Sequence, residues 1–150
     1  MRQAIVCGID GSPDSQAALV YATDLADRLD ARLVLAHVVE PVPALSGAVG
    51  PFTGASAPSS STVEREAEGE RLLGEIAEST GVGHAEQRVV TGLPAEGLAD
   101  LADDESAQLI VVGSRGRGPL RSALLGSVST SLIGLARCPV LVVPPGAVTP

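Results

Sequence analysis

Short apolar runs bounded by turn residues alternate with longer stretches of helical periodicity along the chain, and this alternation restricts the fold more than any other feature. The runs at 3–10, 32–39 and 108–113 are nearly unbroken in their apolar character. Strands without polar alternation are buried on both faces, which is the habit of parallel sheets. The run at 85–91 alternates polar and apolar residues and reads as an edge strand, and 139–143 is a fifth strand stopped by Pro144 and Pro145. Helices lie between them. The first opens on Ser12 as N-cap and Pro13 as first helical residue, with Ala18, Tyr21, Ala22, Leu25 and Leu29 spaced to face inward. The second covers 62–80, with Val63, Ala67, Leu73, Ile76 and Ala77 inward, and closes at Gly81. A third starts at Pro94 with Leu98, Leu101 and Ala102 inward, and a fourth covers 127–136. The pattern predicts an α/β protein, a parallel sheet wrapped by right-handed crossovers. In such sheets ligands sit beyond the carboxyl ends of the strands, where strand order reverses. That rule puts Asp10, the residues after Val39, and Gly113 on one rim.

A chain of 150 residues fits a single domain spanning 1–150. Residues 41–61 are rich in Pro, Gly, Ala and Ser without periodicity, and read as a long mobile loop, a lid or a partner contact. Tyr21 and Phe52 are the only aromatic residues, so any base-binding pocket must have aliphatic walls. No apolar run reaches the roughly 18 to 20 residues of a membrane span, and the N-terminus lacks the pattern of a secretory signal. Cys7 and Cys138 sit in apolar surroundings and read as reduced buried thiols. These features predict a cytoplasmic protein without a membrane partner. His37, in an apolar strand, reads as a hydrogen-bonded core histidine and His84 as a surface turn residue; no metal-ligand spacing joins them to the cysteines.

The net charge of −8 argues against a nucleic-acid partner. Its distribution is more informative. There is no Lys, all 18 carboxylates precede Ser106, and four of the Arg follow it. Arg115, Arg117 and Arg121 cluster in that carboxylate-free segment, which suits an anionic ligand. The same segment holds Gly113, Gly116, Gly118 and Gly126, placed after a buried strand and before a helix. Glycines let a backbone approach a ligand closely, and a helix N-terminus adds unpaired N–H donors with a partial positive charge, so the stretch 113–129 reads as a phosphate cradle. Ser127 is a good N-cap, Ser127 and Ser129 can add hydroxyl donors, and Arg115 is the arginine best placed to act on the phosphates. The segment is neither a P-loop, which needs a Lys, nor the dinucleotide fingerprint, since its glycines run G-x-x-G-x-G.

On these residues the chain resembles the universal stress protein family, specifically its ATP-binding branch with the motif G-x2-G-x9-G-S/T, matched by Gly113, Gly116, Gly126 and Ser127. The opening Val6-Cys7-Gly8-Ile9-Asp10-Gly11-Ser12, the strand segment Leu35-Ala36-His37-Val38-Val39 and the closing Cys138-Pro139-Val140-Leu141-Val142-Val143 are similar to family segments in the same order. The resemblance implies a Rossmann-like, adenine nucleotide alpha hydrolase-like open five-stranded parallel sheet, order 3-2-1-4-5, with helices on both faces. It implies ATP with Mg as ligand, Asp10 at the adenine–ribose end, Val38 beside the base and Gly113 near the ribose. Gly116, Gly126, Ser127, Val128 and Ser129 would surround the phosphates, with Gly8, Ile9 and Val112 completing the nucleotide-binding set. It further implies a homodimer through the last strand, 140–143.

Three functions follow from these readings. The first is an ATP-binding stress-response regulator, a sensor or switch with an unidentified protein partner and at most slow ATP hydrolysis. The second is an adenylating or ATP-cleaving enzyme, since Asp10-Gly11-Ser12-Pro13-Asp14-Ser15 is similar to the S-G-G-x-D-S loop of pyrophosphatases of related fold; its first Ser, second Gly and a catalytic Lys are missing. The third is a nucleotide-free dimeric scaffold, which the intact glycine set opposes. The first is favoured, with no catalytic residue assigned.

Overall fold

The computed structural model describes residues 2–42, 60–116 and 125–147. Most of the loop read at 41–61, together with Phe52, Arg117, Gly118, Pro119 and Arg121, lies outside them. The elements alternate from end to end: β1 (Ala4–Gly8), α1 (Pro13–Leu29), β2 (Arg32–Val39), α2 (Ser60–Thr80), β3 (Glu86–Thr91), α3 (Pro94–Asp104), β4 (Ala107–Gly113), α4 (Ser127–Leu135) and β5 (Val140–Val143). All four pairings are parallel, and the order is β3-β2-β1-β4-β5, as the resemblance implied.

Strand geometry sends successive side chains to opposite faces, and the apolar runs supply a core to each. Ile5 and Cys7 of β1, Leu33 and Leu35 of β2 and Val111 of β4 join Ala18, Leu19 and Ala22 of α1 and Leu73, Ile76 and Ala77 of α2 on one face. Ala4, Val6, Val34, Ala36, Ile110 and Val112 face the other way, against Leu98, Leu101 and Ala102 of α3 and Leu132 of α4. β3 is half-exposed along its length and takes the edge that its alternation predicted.

Local signals set the element ends. Ser12 caps α1, its hydroxyl accepting from Ser15 N at 3.2 Å, and Gly81 leaves α2 at φ 74. Three expectations need correction. α2 turns Val63 and Ala67 outward and packs through Thr62, Gly69, Leu73, Ile76 and Ala77. A side chain on Gly69 would meet the His37 ring, its Cβ lying 2.7 Å from His37 Cδ2, so closeness rather than apolarity selects this face. Leu29 of α1 is exposed, while Leu19 and Ala26 are buried. Cys138 is only half-buried, in the bend before β5, whereas Cys7 is fully enclosed and burial pushes its thiol up to about 12.

Candidate functional site

After β3 the chain crosses back over the sheet to place β4 on the other side of β1, so the strand order reverses between β1 and β4. A hollow of about 790 Å³ opens at their carboxyl ends, within the range of small-ligand sites. All twelve residues anticipated from the sequence line it. Gly8, Ile9 and Asp10 come from the end of β1, Val38 from β2, and Val112 and Gly113 from β4. Arg115 and Gly116 follow β4, and Gly126, Ser127, Val128 and Ser129 open α4. Ala36, Pro94 and Leu98 extend an aliphatic wall, as the scarcity of aromatics required.

The hollow is polar at the α4 end. Gly126 is the N-cap of α4 in extended conformation and no side chain caps the helix, so its first amides keep the donor capacity of an open N-terminus. Ser127, expected as the cap, is instead the first helical residue and lies exposed at the rim. The cap position falls to Gly126 because its amide is drawn onto Ser114 O at 2.6 Å. Ser129 is buried, and its hydroxyl, expected to face phosphates, is within 3.1 Å of both Ser114 O and Gly126 O. It braces the loop, and what Ser129 can offer a ligand is its backbone.

Two carboxylates shape the wall on the α1 side. Asp10 Oδ1 accepts from Ser12 N at 2.9 Å, and a Cβ on Gly116 would lie 2.7 Å from Asp10 Oδ2. Gly116 therefore brings bare backbone against that carboxylate. Asp14, which sequence reasoning assigned no role in this site, is buried in the first turn of α1. Its Oδ2 accepts from the Ser114 hydroxyl and the Arg115 amide, both at 3.1 Å, and Arg115 Nε lies 3.5 Å away. The hints in the sequence were an acid just inside a helix start and its place in the segment 10–15 similar to the S-G-G-x-D-S loop. Gly113 fits the same junction, since a Cβ there would stand 2.6 Å from the backbone carbonyl carbon of Asp14.

His37 is hydrogen-bonded, as expected, with Nδ1 donating to Ile9 O at 2.7 Å; it is half-buried and lines the hollow instead of lying in the core. Glu40 stands further along the same rim. Among the described residues no group of three or more His, Cys, Asp or Glu is placed to hold a metal ion, and no helix is long and apolar enough to cross a membrane. With aliphatic residues at the Val38 end and an uncapped helix N-terminus at the α4 end, the hollow can receive an elongated ligand, apolar at one end and anionic at the other.

Comparison with known proteins identifies the family. A universal stress protein of Thermus aquaticus is 35% identical over 144 residues, covering 95% of this chain and 99% of that protein. One from Mycolicibacterium smegmatis is 38% identical over 146 residues, covering 93% of this chain, which spans about half (47%) of the relative's length. The crystal structure of a universal stress protein in complex with cAMP superposes with a TM-score of 0.70 at 27% identity, covering 94% of this chain and 96% of that one. The family model described as the universal stress protein family matches residues 1–144, and the chain belongs to that family.

Proposed function

We propose that the hollow binds an adenine nucleotide, ATP with Mg, and that the protein is a regulatory nucleotide-binding switch and not an enzyme of rapid turnover. The observation that carries this is the uncapped N-terminus of α4, held beside the loop 113–116 by the Gly126 amide donating to Ser114 O at 2.6 Å, at one end of an apolar-walled hollow. Its neighbour crystallised with cAMP supports the adenine nucleotide class. The G-x2-G-x9-G-S/T spacing supports ATP within that class.

Val38 and Ile9 would enclose the base, and Asp10 would accept from ribose hydroxyls. The amides at Gly116, Ser127 and Val128 would take the phosphates, beside Arg115. Glycine at 116 fits that role because any side chain there would intrude between backbone and Asp10. Bound ATP would supply a high local charge tying the loop after β4 to α4, and Mg would travel with its phosphates. Asp10 and His37 are each already engaged by protein hydrogen bonds, which suits holding a ligand better than attacking one. We further place the protein in the cytoplasm, as one domain across 1–150, homodimeric through β5 and read by a protein partner.

Thermal melts with and without Mg-ATP test the central claim. A hundredfold excess over the dissociation constant should stabilise the fold by about 2.7 kcal/mol. No shift at saturating adenine nucleotide removes the nucleotide reading, and release of AMP and pyrophosphate would turn it toward an enzyme.

A further inference from the structure

The buried carboxylate of Asp14 lies beneath the loop on which nucleotide binding depends, and no role has been assigned to it. Pro13 and Asp14 begin α1, where the helix dipole favours a negative charge. An acid only 8% exposed nevertheless needs specific partners. All of its partners at Oδ2 lie in one place, the Ser114 hydroxyl and the amide and guanidinium of Arg115. Ser114 O in turn accepts from Gly126 N and lies within reach of the Ser129 hydroxyl. A continuous series of hydrogen bonds thus runs from the first turn of α1, through residues 114 and 115, to the first turn of α4.

We propose that Asp14 is a positioning residue for the phosphate end of the hollow: it fixes the Ser114–Arg115 peptide and holds the Arg115 guanidinium at the wall, without itself meeting the ligand. This rests on the nucleotide reading given above. The pairing also has an electrostatic purpose. An unpaired carboxylate so close to the loop would repel an anion, whereas one joined to Arg115 contributes little net charge. Among the described residues the hydrogen bonds of the Asp14 carboxylate run to residues 114 and 115, and none goes to β2, which carries Val38 at the base end. Loss of Asp14 should therefore separate phosphorylated from unphosphorylated ligands, which a general loosening of the fold would not do.

Titration calorimetry of the full chain with adenosine and with Mg-ATP reads this difference. Asp14→Ala should weaken ATP by about tenfold to a hundredfold, the value of a charge-assisted hydrogen bond, and leave adenosine unchanged. Asp14→Asn should recover most of the loss, because its amide oxygen still accepts from the Arg115 N–H. A proportionate loss of both ligands, or an unchanged ATP affinity, overturns the proposal. If Asp14→Ala does not fold, Ser114→Ala interrupts the same series from the other side and should show the same selective loss. A wild-type protein that binds neither ligand defeats the nucleotide reading itself, and is recognised before any variant is compared.

Discussion

Gly113 carries no side chain because the first turn of α1 occupies the space where one would sit. Its Cβ would lie 2.6 Å from the carbonyl carbon and 2.8 Å from the carbonyl oxygen of Asp14, and backbone cannot swing aside as a side chain can. Gly116 differs, because among the described residues its Cβ would crowd only Asp10 Oδ2, the end of a rotatable carboxylate. Gly113→Ala should thus cost about 1–3 kcal/mol as an overpacked junction, while Gly116→Ala should leave stability within a few tenths of wild type and act on ligand binding. Urea unfolding of the two variants checks this, and equal stabilities would refute the steric account. The glycine spacing made both positions legible in the sequence, and the rule for the carboxyl ends of parallel strands did the same for Asp10. Asp14 was not legible, because the group it serves is a hundred positions away, at Ser114. A carboxylate in a first helical turn has a sufficient local explanation, and nothing nearby in sequence announces a distant partner.

At the opposite end of the strands from the hollow, four side chains tie three elements together. Arg32, the first residue of β2, pairs with Glu86 of β3 at 2.6 Å and with Glu105, just past α3, at 3.1 Å. Arg88 of β3 closes the group on Glu86 at 2.7 Å and Glu105 at 3.3 Å. The hydrogen bond from Arg32 holds the Glu86 carboxyl below its ordinary value, against a smaller opposing effect of burial. A carboxyl depressed in the folded state contributes stability that is full above its unfolded pKa and lost as pH falls through the folded one. The group is half-exposed, so the contribution should stay under about 1 kcal/mol. The stability gap between wild type and Glu86→Gln should therefore shrink as pH falls from about 6 to about 3, and a gap independent of pH would exclude this role. Elements were the most legible scale, since buried parallel strands must be apolar throughout and caps such as Ser12 mark their own helix. The inward face of α2 was misread because its closest approach to the sheet is made by Gly69, a residue that leaves no hydrophobic signal. Pairings such as Arg32 with Glu105 depend on topology, which no local pattern encodes.

For the whole molecule, the outer edge of β5 bears on the proposed dimer. Pro139 O accepts from Ile110 N and Val143 O from Ser114 N, so the odd-numbered carbonyls of this strand turn toward β4. By the alternation of a parallel ladder, the amides and carbonyls of Val140 and Val142 turn outward. Ile133 and Leu135 of the neighbouring α4 are 61% and 47% exposed, giving that side apolar surface. An apolar edge of this kind invites pairing, and a second copy meeting it strand to strand would join the two sheets into one. Proline is tolerated at an edge where its missing N–H would have faced solvent, but it cannot donate to a partner strand. Val142→Pro should therefore convert a dimer to a monomer while the melting temperature falls only slightly, because the ladder to β4 runs through Leu141 and Val143. Light scattering coupled to size exclusion distinguishes the outcomes. A wild-type monomer, or a dimer that survives the substitution, would mean that β5 is not the joining strand and that the exposed face of α4 serves another contact.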